Sequence, residues 1–252
     1  RVLFYDRALS ASGTIACASC HLQTAGFADP EVLSVGFAGE RTTRNAMSIT
    51  DARFYGNGRF FWDERAATLE EQVLMPIQNP VEMGLTEDQL VARVAAAPYY
   101  APLFTRAFGD PEVTSVRIAR ALAQFARAMV SYRARYDVEL AAAGDVARRF
   151  AGYTAEENLG KDLFLGRAGC AACHLASPPG PGPRANQAVF LIDIATNNGL
   201  DAGGRREDQE RKRCGSHGSG LRKVLAMWAG SHQRVPAPGG ARRRRGARPC
   251  RT

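Results

Sequence analysis

Cys17-Ala18-Ser19-Cys20-His21 decides how this chain is read, because two cysteines three positions apart followed at once by a histidine is the spacing that holds a haem. On one helical turn the two thiols meet the two vinyl groups of a porphyrin, and the histidine falls beneath the iron as its proximal ligand. The pattern returns as Cys170-Ala171-Ala172-Cys173-His174, so four of six cysteines and two of four histidines stand in two copies of one motif. Structural zinc would need a second close-spaced ligand pair beside each copy, and neither copy has one. The reading is therefore two covalently bound c-type haems, with iron ligated by His21 and His174.

Working outward, 252 residues give room for two domains, each with its own core, and the two sites lie 153 residues apart. Covalent haem attachment needs reduced thiols and takes place outside the cytoplasm, so a periplasmic, exported protein is expected. The chain opens at Arg1-Val2-Leu3-Phe4 without a signal peptide, which reads as a mature form or a fragment. No run is long enough to span a membrane as a helix.

The formal charge of +8 is unevenly placed. Residues 203–252 carry 14 Lys and Arg against 3 Asp and Glu, leaving 19 against 22 in a mildly acidic body. A run such as Arg242-Arg243-Arg244-Arg245 could bind nucleic acid or anionic lipid. The abrupt change of composition reads instead as an out-of-frame gene end, with Cys214 and Cys250 accidental and no nucleic-acid partner expected.

Between the sites the pattern is helical, interrupted by long loops. Gly26 to Asn45 is rich in Gly, Ser and Thr, a loop of the kind that carries function. Phe54, Tyr55, Phe60, Phe61 and Trp62 surround the Asn57-Gly58 turn signal. Thr68-Leu69-Glu70-Glu71 starts a helix with a capping box, Pro76 and Pro80 break it, and Thr86-Glu87-Asp88-Gln89 opens the next. From Thr114, Ile118, Leu122, Phe125, Met129 and Tyr132 form one apolar stripe, with Met129 read as core rather than as an iron ligand. Arg133 to Tyr153 reads as a linker, with a boundary near residue 140, and Thr154-Ala155-Glu156-Glu157 caps the helix that feeds the second haem site.

These motifs in order, with Gly26-Phe27-Ala28-Asp29, Arg44-Asn45-Ala46, Phe61 to Gln72 and Asn79-Pro80-Val81-Glu82-Met83-Gly84, resemble the bacterial di-haem cytochrome c peroxidases and their MauG-type relatives. The resemblance covers residues 1–202. It implies an all-α fold of two cytochrome c-like haem domains with long loops: residues 1–140 with the peroxidatic haem, and residues 141–202 as the start of an incomplete electron-transfer domain.

By that resemblance the enzyme reduces hydrogen peroxide to water with electrons from a small cytochrome c or cupredoxin, entering at the C-terminal haem. The alternatives are MauG-like oxidation of a protein side chain, a non-enzymatic di-haem electron carrier, and an inactive truncated fragment. A homodimer is one assembly the resemblance admits. Gln72 and Glu82 match the family's distal pair, and Glu82 would relay the proton that peroxide cleavage needs. Read alone, Glu82 is a solvated loop carboxylate; the flanking Pro80 and Gly84 favour the relay. Trp62 matches a tryptophan between the haems, or else a large core aromatic. Asn45 matches a calcium ligand, the rest of that site coming from domain two. The chain departs from the family where Phe37 stands in place of an iron-ligating histidine, leaving the first haem open to peroxide. It departs again after Asp201, where the segment supplying the second haem's distal ligand should follow.

Overall fold

In a computed structural model of the chain, residues 1–55, 58–172 and 174 are described. They fall into two units, one of Arg1–Tyr132 together with Ala171, Ala172 and His174, the other of Arg133–Cys170. Among the described residues the regular elements are all helical, joined by loops with three isolated antiparallel bridges. The all-α expectation therefore holds.

The first unit carries α1 (Val2–Tyr5), α2 (Cys17–Cys20), α3 (Leu69–Gln78), α4 (Glu87–Ala96), α5 (Tyr100–Phe108) and α6 (Ser115–Ala128). Its core forms where α1, α3, α4, α5 and α6 turn their apolar stripes inward: Phe4, Leu9, Ile77, Leu90, Val94, Tyr100, Phe104, Ile118 and Leu122 are all buried. A second patch joins Leu69 of α3 to Ala123, Ala126 and Met129 at the end of α6. Met129 is thus core, as its place in the stripe implies. Arg127 and Glu70 close the solvent side of this contact with paired bonds of 2.5 and 2.9 Å.

Three details differ from the pattern. α6 stops at Ala128, so Tyr132 leaves the stripe and is 64% exposed. α3 continues through Pro76 to Gln78. The loop that follows supports its last turn, because Met83 N–H donates to Pro76 O and Leu85 N–H to Ile77 O. At the N-terminus of α3, Thr68 Oγ1 accepts from Glu71 N–H, but the Glu71 carboxylate returns to Ala67 N–H rather than to the cap residue. The full reciprocal box forms at Thr86 with Gln89 and at Thr154 with Glu157.

The second unit begins where the sequence suggests a linker. Arg135–Ala143 is instead a helix, α7, and Ala155–Leu165 forms α8. Phe150, fully buried, lies between Tyr136 and Tyr153 at ring-centroid distances of 5.5 and 5.2 Å. Asn158 of α8 replaces a regular ladder for this turn: its Oδ1 accepts from Phe150 N–H and its Nδ2 donates to the carbonyls of Phe150, Tyr153 and Thr154. Asn158→Ala leaves the buried Phe150 N–H without its partner, while the Phe150 and Thr154 carbonyls keep their backbone donors, and is expected to destabilise this unit by about 1–3 kcal/mol, read by thermal or denaturant unfolding.

Candidate functional site

The first Cys-x-x-Cys-His turn is held from three sides. Ser19 Oγ accepts from Ala16 N–H at 3.0 Å, so α2 starts with a cap. Upstream, Ser10 is fully buried and its hydroxyl accepts from Ile15 N–H. Arg93 of α4 reaches across to donate to the carbonyls of Ala8, Ser10 and Ala11. Ala11 N–H in turn donates to Met83 O at 2.7 Å, tying the haem-motif loop to the segment that carries Glu82.

His21 follows α2 directly, and its Nδ1 lies 3.0 Å from Phe27 O. That carbonyl is brought back by two consecutive left-handed residues, Gly26 (φ 67°) and Phe27 (φ 57°). With Nδ1–H donating to Phe27 O, the neutral ring presents its lone pair on Nε2, the atom that a metal takes. Burial lowers the pKa of the imidazole against the opposing pull of the Phe27 and Met47 backbone, so the ring is neutral at pH 7. Cys17 and Cys20 are free thiols. Burial pushes Cys17 up to about 12 and raises Cys20 as well, so both are protonated thiols at neutral pH. Two thiols and a neutral imidazole on one turn, with Nδ1 already committed, fit a c-type haem. Among the described residues no group of three His, Cys, Asp or Glu is arranged for a metal ion, so the turn does not complete a zinc cage.

Below this turn, Asp29 accepts from Ser34 Oγ at 2.6 Å and from Glu31 N–H at 2.9 Å. Ser34 is buried, and its hydroxyl also lies against the Cys20 thiol. Thr42 closes the loop onto Ser34 through both backbone and side chain. The loop then meets the Glu82 segment. Phe37 N–H donates to Glu82 O, and the ring of Phe37 lies so close to Gly84 that a Cβ there would come within 2.4 Å of it. Gly36 packs tighter still, with Val81 O occupying the place of a Cβ. Phe37 is therefore beside Glu82.

Glu82 is fixed through its backbone. Asn79 Oδ1 accepts from the N–H groups of Val81 and Glu82, and Glu82 O takes the Phe37 amide. Its side chain lines a cavity of about 290 Å³ with Phe61, Arg65, Met75, Pro76, Gln78 and Asn79. Burial raises the pKa of Glu82, opposed by the Arg65 guanidinium. The carboxylate also lies within electrostatic reach of the Cys17 and Cys20 thiols. Glu82 is thus no solvated loop residue.

Gln72 lies on α3, half-buried, and is not among the residues lining the Glu82 cavity; Met75 and Pro76, one turn on, form that wall. Trp62 is 49% exposed, which removes the core-aromatic reading, and its indole N–H donates to Asn45 O at 3.0 Å. Asn45 Nδ2 donates to the carbonyls of Asp29 and Glu31, leaving Oδ1 as the atom a hard cation would take. Trp62 and Asn45 are thereby brought together. Alongside them, Arg44, Asp63 and Arg65 form an ion chain with contacts of 3.0 and 2.8 Å. Arg65 then stacks on Phe61 at 3.6 Å from the ring centroid, facing the Glu82 cavity. The sequence reading passed over Arg65, Arg93 and Ser34. Only Arg65 carried a signal, as a cation three residues after Trp62 within a recognised motif.

Of the second haem motif, Cys170 opens the short 3₁₀ turn Cys170–Ala172 and is half-buried, while His174 is exposed. Cys173, and the basic stretch 203–252, lie outside the described residues.

Comparison with known proteins shows which family the chain resembles. The family model for di-haem cytochrome c peroxidase matches residues 1–145. The methylamine utilization protein MauG of Methylorubrum extorquens is 39% identical over 180 residues, covering 69% of this chain and 47% of its own length. The cytochrome c551 peroxidase of Nitrosomonas europaea is 34% identical over 190 residues, covering 75% and 54%. Among solved structures, a MauG-like protein associated with microbial copper homeostasis aligns with a TM-score of 0.61 at 33% identity, over 77% of this chain and 53% of that one. The diheme peroxidase BthA of Burkholderia thailandensis aligns at 0.58 and 28% identity, over 75% and 51%. The chain spans about half the length of the curated relatives it matches. Two Cys-x-x-Cys-His motifs, a half-buried His21 anchored through Nδ1 and a helical fold shared with these proteins lead to one statement: the chain belongs to the di-haem cytochrome c peroxidase family.

Proposed function

We propose that this chain reduces hydrogen peroxide to water at a haem held by Cys17, Cys20 and His21, using electrons that enter at a second haem on Cys170, Cys173 and His174. A haem bound at the first site supplies the iron that takes up peroxide and accepts electrons. The observation that carries the reading is Glu82: a carboxylate of raised pKa, held rigid by Asn79 and Phe37, within electrostatic reach of the first haem-attachment turn.

Cleaving an O–O bond toward water requires a proton to leave one peroxide oxygen and reach the other. Glu82 accepts that proton on its carboxylate and returns it to the departing oxygen. Arg65 opposes the rise in the Glu82 pKa and so favours the ionised form that accepts the proton. Gln72 serves as a second polar group of the distal side. Trp62 would assist electron transfer toward the first haem, and Asn45, which holds the Trp62 indole, would supply a ligand to a calcium ion stiffening that loop. The electron donor is a small cytochrome c or cupredoxin, and the site of action is the periplasm. Among the described residues, no helix is long and apolar enough to cross a membrane. The test is haem content by mass spectrometry and peroxide turnover with a reduced donor. One haem or none, or no turnover by a two-haem protein, would contradict the proposal.

Phe37 favours a second reading, MauG-like oxidation of a protein side chain. Its ring, seated on Gly84 next to Glu82, cannot bind iron, so the site is open to peroxide without prior reduction. The oxidised protein is expected to show a high-spin signal from the first haem. Phe37→His should move that signal toward low spin and make activity depend on pre-reduction. A low-spin first haem in the unaltered protein would sink this account of Phe37.

A further inference from the structure

Tyr99 and Tyr100 donate their phenol hydrogens to the same oxygen of Asp6, at 2.7 and 2.6 Å, with ring centroids 4.6 Å apart. The other oxygen of Asp6 accepts from Ala8 N–H. Capping that turn needs only this last bond, and Tyr99, 46% exposed, would be satisfied by water. The bond from Tyr100 satisfies a buried phenol, so it is the second bond to the same oxygen, from Tyr99, that the fold does not require.

The triad is also connected. Tyr5 is the chain neighbour of Asp6, and its ring packs edge-on against Phe4 at 5.1 Å. Phe4 meets Phe27 at 6.1 Å, and Phe27 O holds His21 Nδ1. Tyr5, Asp6, Phe27 and Tyr99 line one cleft of about 810 Å³. A path of ring contacts, hydrogen bonds and two short backbone links, Tyr5 to Asp6 and within Phe27, thus joins the haem-motif histidine to a half-exposed tyrosine.

We propose that Tyr99 and Tyr100 with Asp6 form a redox site, at which a phenol gives up one electron toward the His21 haem and its proton to Asp6 Oδ2. This rests on the peroxidase reading above. A tyrosine that loses an electron becomes a strong acid, so its oxidation is easy only where a base already accepts its hydrogen bond. Asp6 is that base. Burial works to raise its pKa, but the bonds from Tyr100 and Tyr99 outweigh this and keep it below the usual carboxylate value. Both phenols are shifted upward, Tyr99 chiefly by its bond to Asp6 and Tyr100 chiefly by burial, and so hold their protons at rest. In the step, Tyr–OH and Asp–COO⁻ become Tyr–O• and Asp–COOH, with one electron released and no other bond changed. That electron cancels one of the two oxidising equivalents that hydrogen peroxide delivers when no donor protein is present. A later electron from a small organic reductant at Tyr99, with the proton handed back by Asp6, restores the phenol.

The test uses the di-haem holoprotein mixed with hydrogen peroxide without donor and frozen for electron paramagnetic resonance, with the Soret band followed in parallel. A tyrosyl radical is expected, narrowed when the protein is made with ring-deuterated tyrosine. It should be lost in Tyr99→Phe/Tyr100→Phe and weakened in Asp6→Asn, while haem content and the Soret response stay as in wild type. The deuterium narrowing requires no substitution, so it stands even if a variant folds poorly. A tyrosyl signal of undiminished size in the folded double variant overturns the proposal, as does a Soret response with no tyrosyl signal in the wild type. A Soret band that ignores peroxide overturns the peroxidase reading and the role of the triad with it.

Discussion

His21→Gly is expected to abolish peroxide turnover while leaving the chain folded, because the side chain removed is the one whose Nδ1 is anchored to Phe27 O and whose Nε2 would ligate the haem iron. Glycine at this position takes away both the iron's proximal ligand and the hydrogen bond that orients it. His174→Gly should behave differently, blocking electron entry while the first haem still reacts with peroxide. Stopped-flow mixing of each variant with peroxide separates the two. Peroxide reactivity of His21→Gly equal to the wild type would contradict the assignment of the first haem as the peroxidatic one.

Glu82→Gln is expected to slow peroxide cleavage by about 10²- to 10⁴-fold at unchanged haem content, the usual worth of a positioned proton-transfer group. Glutamine keeps the shape and the backbone bonds to Asn79 and Phe37 but cannot shuttle the proton. The pH profile gives an independent check. Burial raises the pKa of Glu82 above its ordinary 4.5. The proton-accepting form therefore disappears at a higher pH than for a free carboxylate, and the acid limb of the rate profile should lie above 4.5. Arg65→Ala removes the charge that opposes this shift and should move the limb higher still. A rate for Glu82→Gln within about threefold of wild type would return Glu82 to a structural role.

The parts of this molecule that were legible in the sequence are those where chemistry fixes spacing over a few residues. Cys17, Cys20 and His21 had to sit on one turn, and Thr86 with Gln89 and Thr154 with Glu157 had to cap their helices, whatever the rest of the chain did. Pro76 misled because its cost depends on what happens beyond the helix: the returning loop supplies Met83 and Leu85 amides to the last turn, a fact seven to eight residues away. α7 was read as a linker because Arg135 to Ala143 is rich in alanine and weakly striped, while the buried partners of that unit, Phe150 and Asn158, come later in the chain. Within the site, the environment of Glu82 was the least visible. Its pKa is set by burial and by Arg65, seventeen positions earlier, and no local pattern reports such a contact.

Arg93 also imposes an order on how the protein is made. The carbonyls it clamps, of Ala8, Ser10 and Ala11, precede it by 82 to 85 residues. During synthesis Cys17 and Cys20 emerge before Arg93 does, so covalent haem attachment at that stage would meet both thiols on a loop not yet pinned. Once α4 docks, the loop is pinned and the turn closes. Arg93→Ala should therefore leave the yield of covalent haem unchanged yet lower the melting temperature of the finished protein, and a loss of haem with no change in melting would reverse that sequence of events.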